Sequence, residues 1–291
     1  MAHITCFTVQ KGGAGKTSMT VNVAGALAGA FGLRTLVIDA DPQCNATAAL
    51  LGPDYTEPGY APTFADVLEG RATIAEASVQ KSFPTLWTLP GSEALVGYEM
   101  ARDDARRGRV IHSVASLLTD AIPDEIDVVL IDTPPSGGIW LQIALAAAQT
   151  YTVVATPDDF SASGVLKLIG TVDQVCADFN PALRRAGFLI NQYRRTSEGD
   201  QYVRFFRDCF EADVFGTVFP LRGVIGSSRG VRMPVELYER LYRVSTPAAP
   251  LFRGVAAEWM QRVGIEGRGA VPRFEGEQLG IGMEPALEVA A

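Results

Sequence analysis

The chain has 291 residues, of which 47% are hydrophobic, enough for a substantial core in one large α/β unit. Cys6, Cys44, Cys176 and Cys209 are scattered without a C-x-x-C pair, which argues against a zinc site or a disulfide framework and for reduced thiols in the cytoplasm. The formal charge of −8 argues against nucleic acid as a partner, but residues 184–253 hold twelve Arg against seven acids, so the total conceals a basic region.

His3 to Val9 is apolar and β-prone, with neither the basic start nor the cleavage site of a signal peptide, so none is expected. It runs into the loop Gln10-Lys11-Gly12-Gly13-Ala14-Gly15-Lys16-Thr17. Thr17–Phe31 has helical spacing, with Val21, Ala24, Leu27, Ala28 and Phe31 on one face. A short apolar run, Arg34–Ile38, ends in Asp39-Ala40-Asp41-Pro42-Gln43. Helices are expected at Asn45–Leu51, Phe64–Leu68, Ile74–Ser78 and Arg106–Ala121, and a strand at Leu86–Leu89. Asp127–Ile131 reads as a fully apolar strand ending on Asp132-Thr133-Pro134-Pro135-Ser136. Helix Leu141–Ala148, strand Tyr151–Ala155, helix Ser161–Phe179, strand Ala186–Asn191, helix Asp200–Phe210 and strand Val214–Val218 continue the alternation, and helices Val235–Tyr242 and Pro247–Val263 close it. The most apolar stretch, Ile139 to Ala155, is too short and too polar to span a bilayer.

Apolar strands alternating with amphipathic helices predict a mostly parallel twisted sheet with helices on both faces. Residues 1–263 are expected to form a single domain. From Gly264 to Ala291 the pattern stops, with Arg268 and Arg273 against five Glu, and the segment is expected to be a flexible acidic tail. It lacks the basic face and apolar stripe of a membrane-binding helix, so no membrane partner is expected.

The glycine loop carries the chemistry. Gly12, Gly13 and Gly15 let the backbone approach a polyphosphate, and their N–H groups with the following helix start form an anion nest. Lys16 would reach the β- and γ-phosphates, and the Thr17 hydroxyl would ligate magnesium. The standard pattern G-x-x-x-x-G-K-[ST] requires glycine where this chain has Gln10, but the strand before, the helix after and the Lys-Thr pair keep the signal strong. Two carboxylates at i and i+2 after a strand end, Asp39 and Asp41, can both face a metal and a γ-phosphate, an arrangement that is costly without a cation.

Lys11-Gly12-Gly13-Ala14-Gly15-Lys16-Thr17 resembles the deviant Walker A loop of the ParA/MinD P-loop ATPases. Asp39-Ala40-Asp41-Pro42-Gln43-Cys44-Asn45-Ala46-Thr47 resembles the ParA switch I segment, with Cys44 in place of a glycine, and Thr133-Pro134-Pro135-Ser136 resembles switch II. The resemblance spans about Ile4 to Val263, includes Thr88-Leu89-Pro90-Gly91-Ser92 and weakens after Val218, where Ser227-Ser228 replaces a Glu-Ala pair.

That resemblance implies an ATP hydrolase with ATP and Mg2+ as cofactors. Lys11 would reach across a nucleotide-sandwich homodimer to the partner's phosphates. Lys11, Gly12, Gly13, Ala14, Gly15, Lys16, Thr17 and Ser18 would bind nucleotide, and Asn191 and Pro220 would flank adenine. Thr17, Asp39 and Asp132 would serve the metal, and Asp41 would orient the attacking water beside Lys11 and Lys16. It further implies DNA partition, of a plasmid or a chromosome, by a dimer that binds DNA non-specifically and is released when a ParB-like protein stimulates slow intrinsic hydrolysis. Arg194, Arg195, Arg204, Arg222, Arg229 and Arg232 are the candidate DNA contacts. The expected location is cytoplasmic, on the nucleoid when ATP is bound. The absence of a long segment before the first strand leads us to expect no sequence-specific operator binding. The alternatives are a MinD-like or other positioning ATPase for a non-DNA cargo, a scaffold without hydrolysis, and an iron-cluster relative. For the last, neither Cys6 in the first strand nor Cys44 in switch I is suitably placed.

Overall fold

The computed structural model describes residues 1–9, 13–99, 104–135, 138–157, 162–220, 232–242 and 248–269. Its strands are β1 (His3–Val9), β2 (Thr35–Asp39), β3 (Val79–Gln80), β4 (Leu86–Leu89), β5 (Val128–Asp132), β6 (Thr150–Ala155) and β7 (Arg184–Ile190). They form one sheet in the order β3-β4-β2-β5-β1-β6-β7, parallel throughout except for the two-residue edge strand β3. The helices are α1 (Lys16–Phe31), α2 (Asn45–Leu50), α3 (Phe64–Leu68), α4 (Ile74–Ala77), α5 (Val96–Glu99), α6 (Asp104–Asp120), α7 (Ile139–Ala147), α8 (Ala162–Asp178), α9 (Ser197–Phe210), α10 (Val235–Tyr242) and α11 (Ala248–Val263).

Both faces of the sheet are covered, as continuous apolar strands require. On one face Phe64, Leu118, Trp140, Phe188 and Phe206 are buried together. On the other, Phe7, Met19, Phe215, Phe252 and Trp259 are buried around α1. Twelve of the sixteen residues of α1 are buried, because α10 and α11 close over its outer side. Glycines in α1 permit that closeness: a Cβ on Gly25 would lie 2.3 Å from Pro234 Cβ, and one on Gly29 would lie 2.6 Å from the Phe83 ring. The Asn22 side chain fixes the same contact by accepting the Val235 N–H at 2.7 Å. Gly25→Ala gains about 1 kcal/mol of helix propensity, but the overlap with a proline ring costs roughly 1–3 kcal/mol or more. The expected result is a lower melting temperature, by about 2–4 °C per kcal/mol of net loss. Scanning calorimetry of the variant checks it; an unchanged or higher midpoint would show that α10 can yield.

The structure departs from the sequence reading at Val214–Val218, which is not a strand. It runs beside β7 through a bridge of Val214 with Phe188 and the bonds from Phe215 N to Phe188 O at 2.8 Å and from Phe219 N to Ile190 O at 2.9 Å, without a continuous ladder between them. The backbone is interrupted at Gly216, whose N–H donates to the Glu258 carboxylate of α11 at 3.0 Å instead of to a strand. Arg262 takes the carbonyls of Ala186 and Val214, each at 3.0 Å, and so fills the edge where a further ladder would start. Side chains from a distant helix thus take backbone groups inside this stretch, which no local periodicity encodes.

Candidate nucleotide site

The register of β2 against β5 sets Asp39 opposite Asp132, so two strand-end carboxyl groups meet at the C-terminal edge of the sheet. Beside them β1 ends at Val9, and the chain returns through Gly13 and Gly15 into α1. This edge, where βα loops converge, is where parallel sheets bind ligands. Lys11 and Gly12 lie outside the described residues.

Gly13 and Gly15 both have φ of +86°, a left-handed conformation that favours glycine. Gly15 is the N-cap of α1, and a Cβ there would come 2.5 Å from Asn191 Nδ2. The first turn of α1 contains no acid, leaving its free N–H groups and positive dipole end for an anion. A cavity of about 390 Å³ opens over this turn, walled by the backbone of residues 13–18 and by Asp41, Asn45, Pro135 and Gln192.

At its floor the Lys16 side chain is 6% exposed. Its ammonium lies 2.7 Å from Asp132 Oδ1 and also donates to the Thr133 carbonyl. Thr17 Oγ1 donates to Asp132 Oδ2 at 2.7 Å, and Thr20 Oγ1 lies 3.3 Å from Oδ1. Both oxygens of a fully buried carboxylate are therefore held by the loop and first turn of α1. Thr133 Oγ1 is buried without a hydrogen-bond partner.

Asp39 is also fully buried but does not line the cavity. Its Oδ2 accepts Thr47 N and Thr47 Oγ1, both at 2.7 Å, and its Oδ1 accepts Asp41 N at 3.2 Å. Thr47 Oγ1 in turn accepts the Gly91 N–H at 2.9 Å, tying the 90–92 turn to switch I. The resemblance assigns Asp39 to the metal; in the structure its oxygens are taken by Thr47 and the Asp41 N–H, so that it organises the loop. Burial, then the charge of Asp132, pushes its carboxyl up to about 7. Burial likewise raises Asp41, which does line the cavity and whose Oδ1 accepts Gln43 N at 2.9 Å. Cys44 adopts φ of +51° as the N-cap of α2, the left-handed geometry for which glycine is suited. Burial pushes its thiol up to about 12, so it stays neutral and unreactive.

The raised Asp39 value has a testable consequence. A group protonated more readily in the folded than in the unfolded chain adds stability that is complete below about pH 4 and is lost as pH rises through about 7. Ligand-free protein is therefore expected to lose stability from this group between about pH 4 and about pH 7. Asp39→Asn, which keeps the shape without the charge, should reduce that slope. Parallel slopes for the two proteins in chemical denaturation would show that Asp39 is ionised throughout.

The donor set suits a hard divalent cation: the Thr17 hydroxyl and the Asp132 and Asp41 carboxyl groups are all oxygen ligands, and the one Lys16 ammonium stands against two buried carboxyl groups, Asp132 and Asp41. Among the described residues no three His, Cys, Asp or Glu side chains form a cage by themselves. Mg2+ fits such a partial shell, since it keeps several waters and takes other ligands from substrate phosphates.

The two residues that the resemblance places at the adenine stand beside the phosphate loop. Asn191 is buried and donates from Nδ2 to the Ala14 carbonyl at 2.7 Å. Pro220 is brought beside it by the bridge to Tyr193 and by the bond from Tyr193 N to Phe219 O at 2.8 Å. Neither lines the cavity. Gln192 does, with φ of +56° and Nε2 donating to the Gly13 carbonyl at 2.6 Å. The sequence reading did not select Gln192, Asn45 or Pro135 as site residues. Adjacency to Asn191, to the switch I Asp41 and to the Asp132 strand end was the available signal for them.

The arginine candidates do not form one surface. Arg194, Arg195 and Arg204 are exposed on α9 and the segment before it, and α9 packs on β7 through Phe206 and Phe188. Arg232 instead covers Gly52 and lies near Lys81, by the opposite edge of the sheet. Around α9 the arginines alternate with Glu198, Asp200 and Asp208. Arg222 and Arg229 lie outside the described residues.

Residues 2–185 match the family model described as an AAA domain. The chromosome partitioning protein ParA of Caulobacter vibrioides is 33% identical over 232 residues, covering 79% of this chain and 85% of that one. The chromosome-partitioning ATPase Soj of Thermus thermophilus is 31% identical over 256 residues, covering 87% and 94%. The septum site-determining protein MinD of Pyrococcus horikoshii, solved with Mg-ADP, superposes with a TM-score of 0.68 over 92% of this chain and 100% of that one. At 22% identity, that likeness speaks to the fold alone.

Proposed function

The chain belongs to the ParA family of ATPases, and from that premise we propose that it is a Mg2+-dependent ATP hydrolase that segregates DNA. The observation that carries this reading is the buried Lys16 ammonium on Asp132 and the Thr133 carbonyl, at the floor of a cavity walled by the 13–18 backbone. In the ligand-free protein Asp132 balances the Lys16 charge. Nucleotide would draw the ammonium to its β- and γ-phosphates, freeing Asp132 and Thr17 for the metal side. The helix start and the left-handed glycines supply N–H donors to the phosphate oxygens. Mg2+ when bound would offset charge developing on the transferred phosphoryl group. Asp41, at the cavity wall, would orient the attacking water. Asp39 would hold the loop that carries Asp41, and Asn191 and Gln192 would fix the phosphate loop through the Ala14 and Gly13 carbonyls. Lys11 would complete the site of a second copy, making the ATP-bound form a homodimer.

In this reading the dimer binds DNA without sequence preference through Arg194, Arg195 and Arg204, and a ParB-like partner stimulates hydrolysis and release. The protein works in the cytoplasm, on the nucleoid when ATP is bound. No helix among the described residues is long and apolar enough to cross a membrane. The test is retention on immobilised non-specific DNA with ATP, with ADP and without nucleotide. Retention only with ATP, weakening steeply with salt, is expected. Equal retention in all three would refute DNA capture by the ATP state. Binding to anionic liposomes with ATP, and not to DNA, would instead mark a membrane-positioning ATPase.

A further inference from the structure

On the face of the sheet away from α1, a groove of about 740 Å³ runs between α3 and α6. It is larger than the nucleotide cavity and lies apart from it. Its floor is apolar, with Leu68, Val110 and Leu117 only partly covered. Arg106 and Arg109 stand exposed towards the start of α6, and Asp120 stands at its end. Arg109 has no salt-bridge partner among the described residues.

The chain beyond Gly269 has matching chemistry and begins close by. Arg268 donates from its backbone to Phe31 O at 2.9 Å and grips the Asp127 carboxylate with its guanidinium. Asp127 immediately precedes β5, and α6 ends only seven residues before it. The last described residues are thus fastened at the end of the sheet where α6 also ends, on the α1 side, so that the following segment reaches the groove by passing round that end. Twenty-two residues follow. Extended, they reach roughly 70 Å, whereas the groove runs about 22 Å along α6. They include Leu279, Ile281, Met283, Leu287 and Val289, with Glu275, Glu277, Glu284 and Glu288 against the single cation Arg273. The order of charges also agrees: Arg273 comes first, towards Asp120, and the acids come later, towards Arg109 and Arg106.

We infer that residues 279–289 of this chain dock into the groove between α3 and α6 of the same molecule, covering its apolar floor and pairing Glu284 and Glu288 with Arg106 and Arg109. The inference is independent of the ATPase reading. The test uses the full chain with the exposed Cys209 changed to serine, and pairs Ala286→Cys with either Ser113→Cys in the groove or Gln261→Cys on α11. Docking predicts an intramolecular disulfide under mild oxidation at least about fivefold more abundant for the groove pair, because docking raises the effective concentration. Arg106→Glu with Arg109→Glu should reduce that excess, and hydrogen exchange of residues 104–121 should quicken with it. Equal yields in the two pairs overturn the proposal. Disulfides found only between chains overturn it as well, and would assign the groove to the tail of a second copy.

Discussion

Lys16→Ala is expected to remove ATP-dependent function and also to weaken the ligand-free fold. The activity loss follows from deleting the cation that, in the proposed function, moves to the phosphates. Removing one preorganised charge of this kind costs about 10²–10³ in rate, and here weaker nucleotide binding adds to it. The stability loss follows from what remains: Asp132 stays fully buried beside Asp39 without its counter-ion. Breaking a buried pair from one side costs about 3–5 kcal/mol, much more than the pair itself contributes. The double variant Lys16→Ala with Asp132→Ala removes the orphaned charge and should recover part of that stability while recovering no hydrolysis. Chemical denaturation of the four proteins of this cycle, together with phosphate release, separates the two effects. A Lys16→Ala protein as stable as the parent would refute the buried ion pair as a support of the ligand-free fold.

Asp41→Ala should separate binding from hydrolysis. The carboxyl group lines the cavity but makes no bond to Lys16 or Thr17, so its loss leaves the phosphate cradle in place. If it orients the attacking water, its removal lowers turnover by about 10²–10⁴-fold with nucleotide affinity nearly unchanged. The ATP-bound form would then persist on non-specific DNA and resist release. Pre-steady-state phosphate release with a fluorescent ATP analogue as the binding probe reads both quantities. A proportional loss of affinity and rate would instead mark Asp41 as a binding residue.

The fold was largely legible because its signals are local. Six of the seven strands and the principal helices arise from runs of apolar residues and from helical spacing, and those edges shift by only a few residues. The exceptions share a cause. The antiparallel β3 is too short for a periodic signal, and Val214–Val218 makes no continuous ladder with β7, Glu258 and Arg262 taking the Gly216 N–H and the Val214 carbonyl. Nothing within five residues records what a helix more than forty residues away will do.

The candidate site divides along the same line. The sequence by itself determined the phosphate loop, because left-handed turns require Gly13 and Gly15 and the Lys-Thr pair follows at fixed spacing. It also determined that Asp132 stands at a strand end and Asp41 two residues beyond one. Only the tertiary structure decided what each group bonds to. It set Lys16 on Asp132, bonded Asp39 to Thr47, and used Asn191 to fasten the Ala14 carbonyl. It also separated Arg232 from the arginines at α9. The reason is physical: spacing along a chain fixes backbone conformation, whereas the charge and partners of a buried side chain depend on every element that excludes water around it.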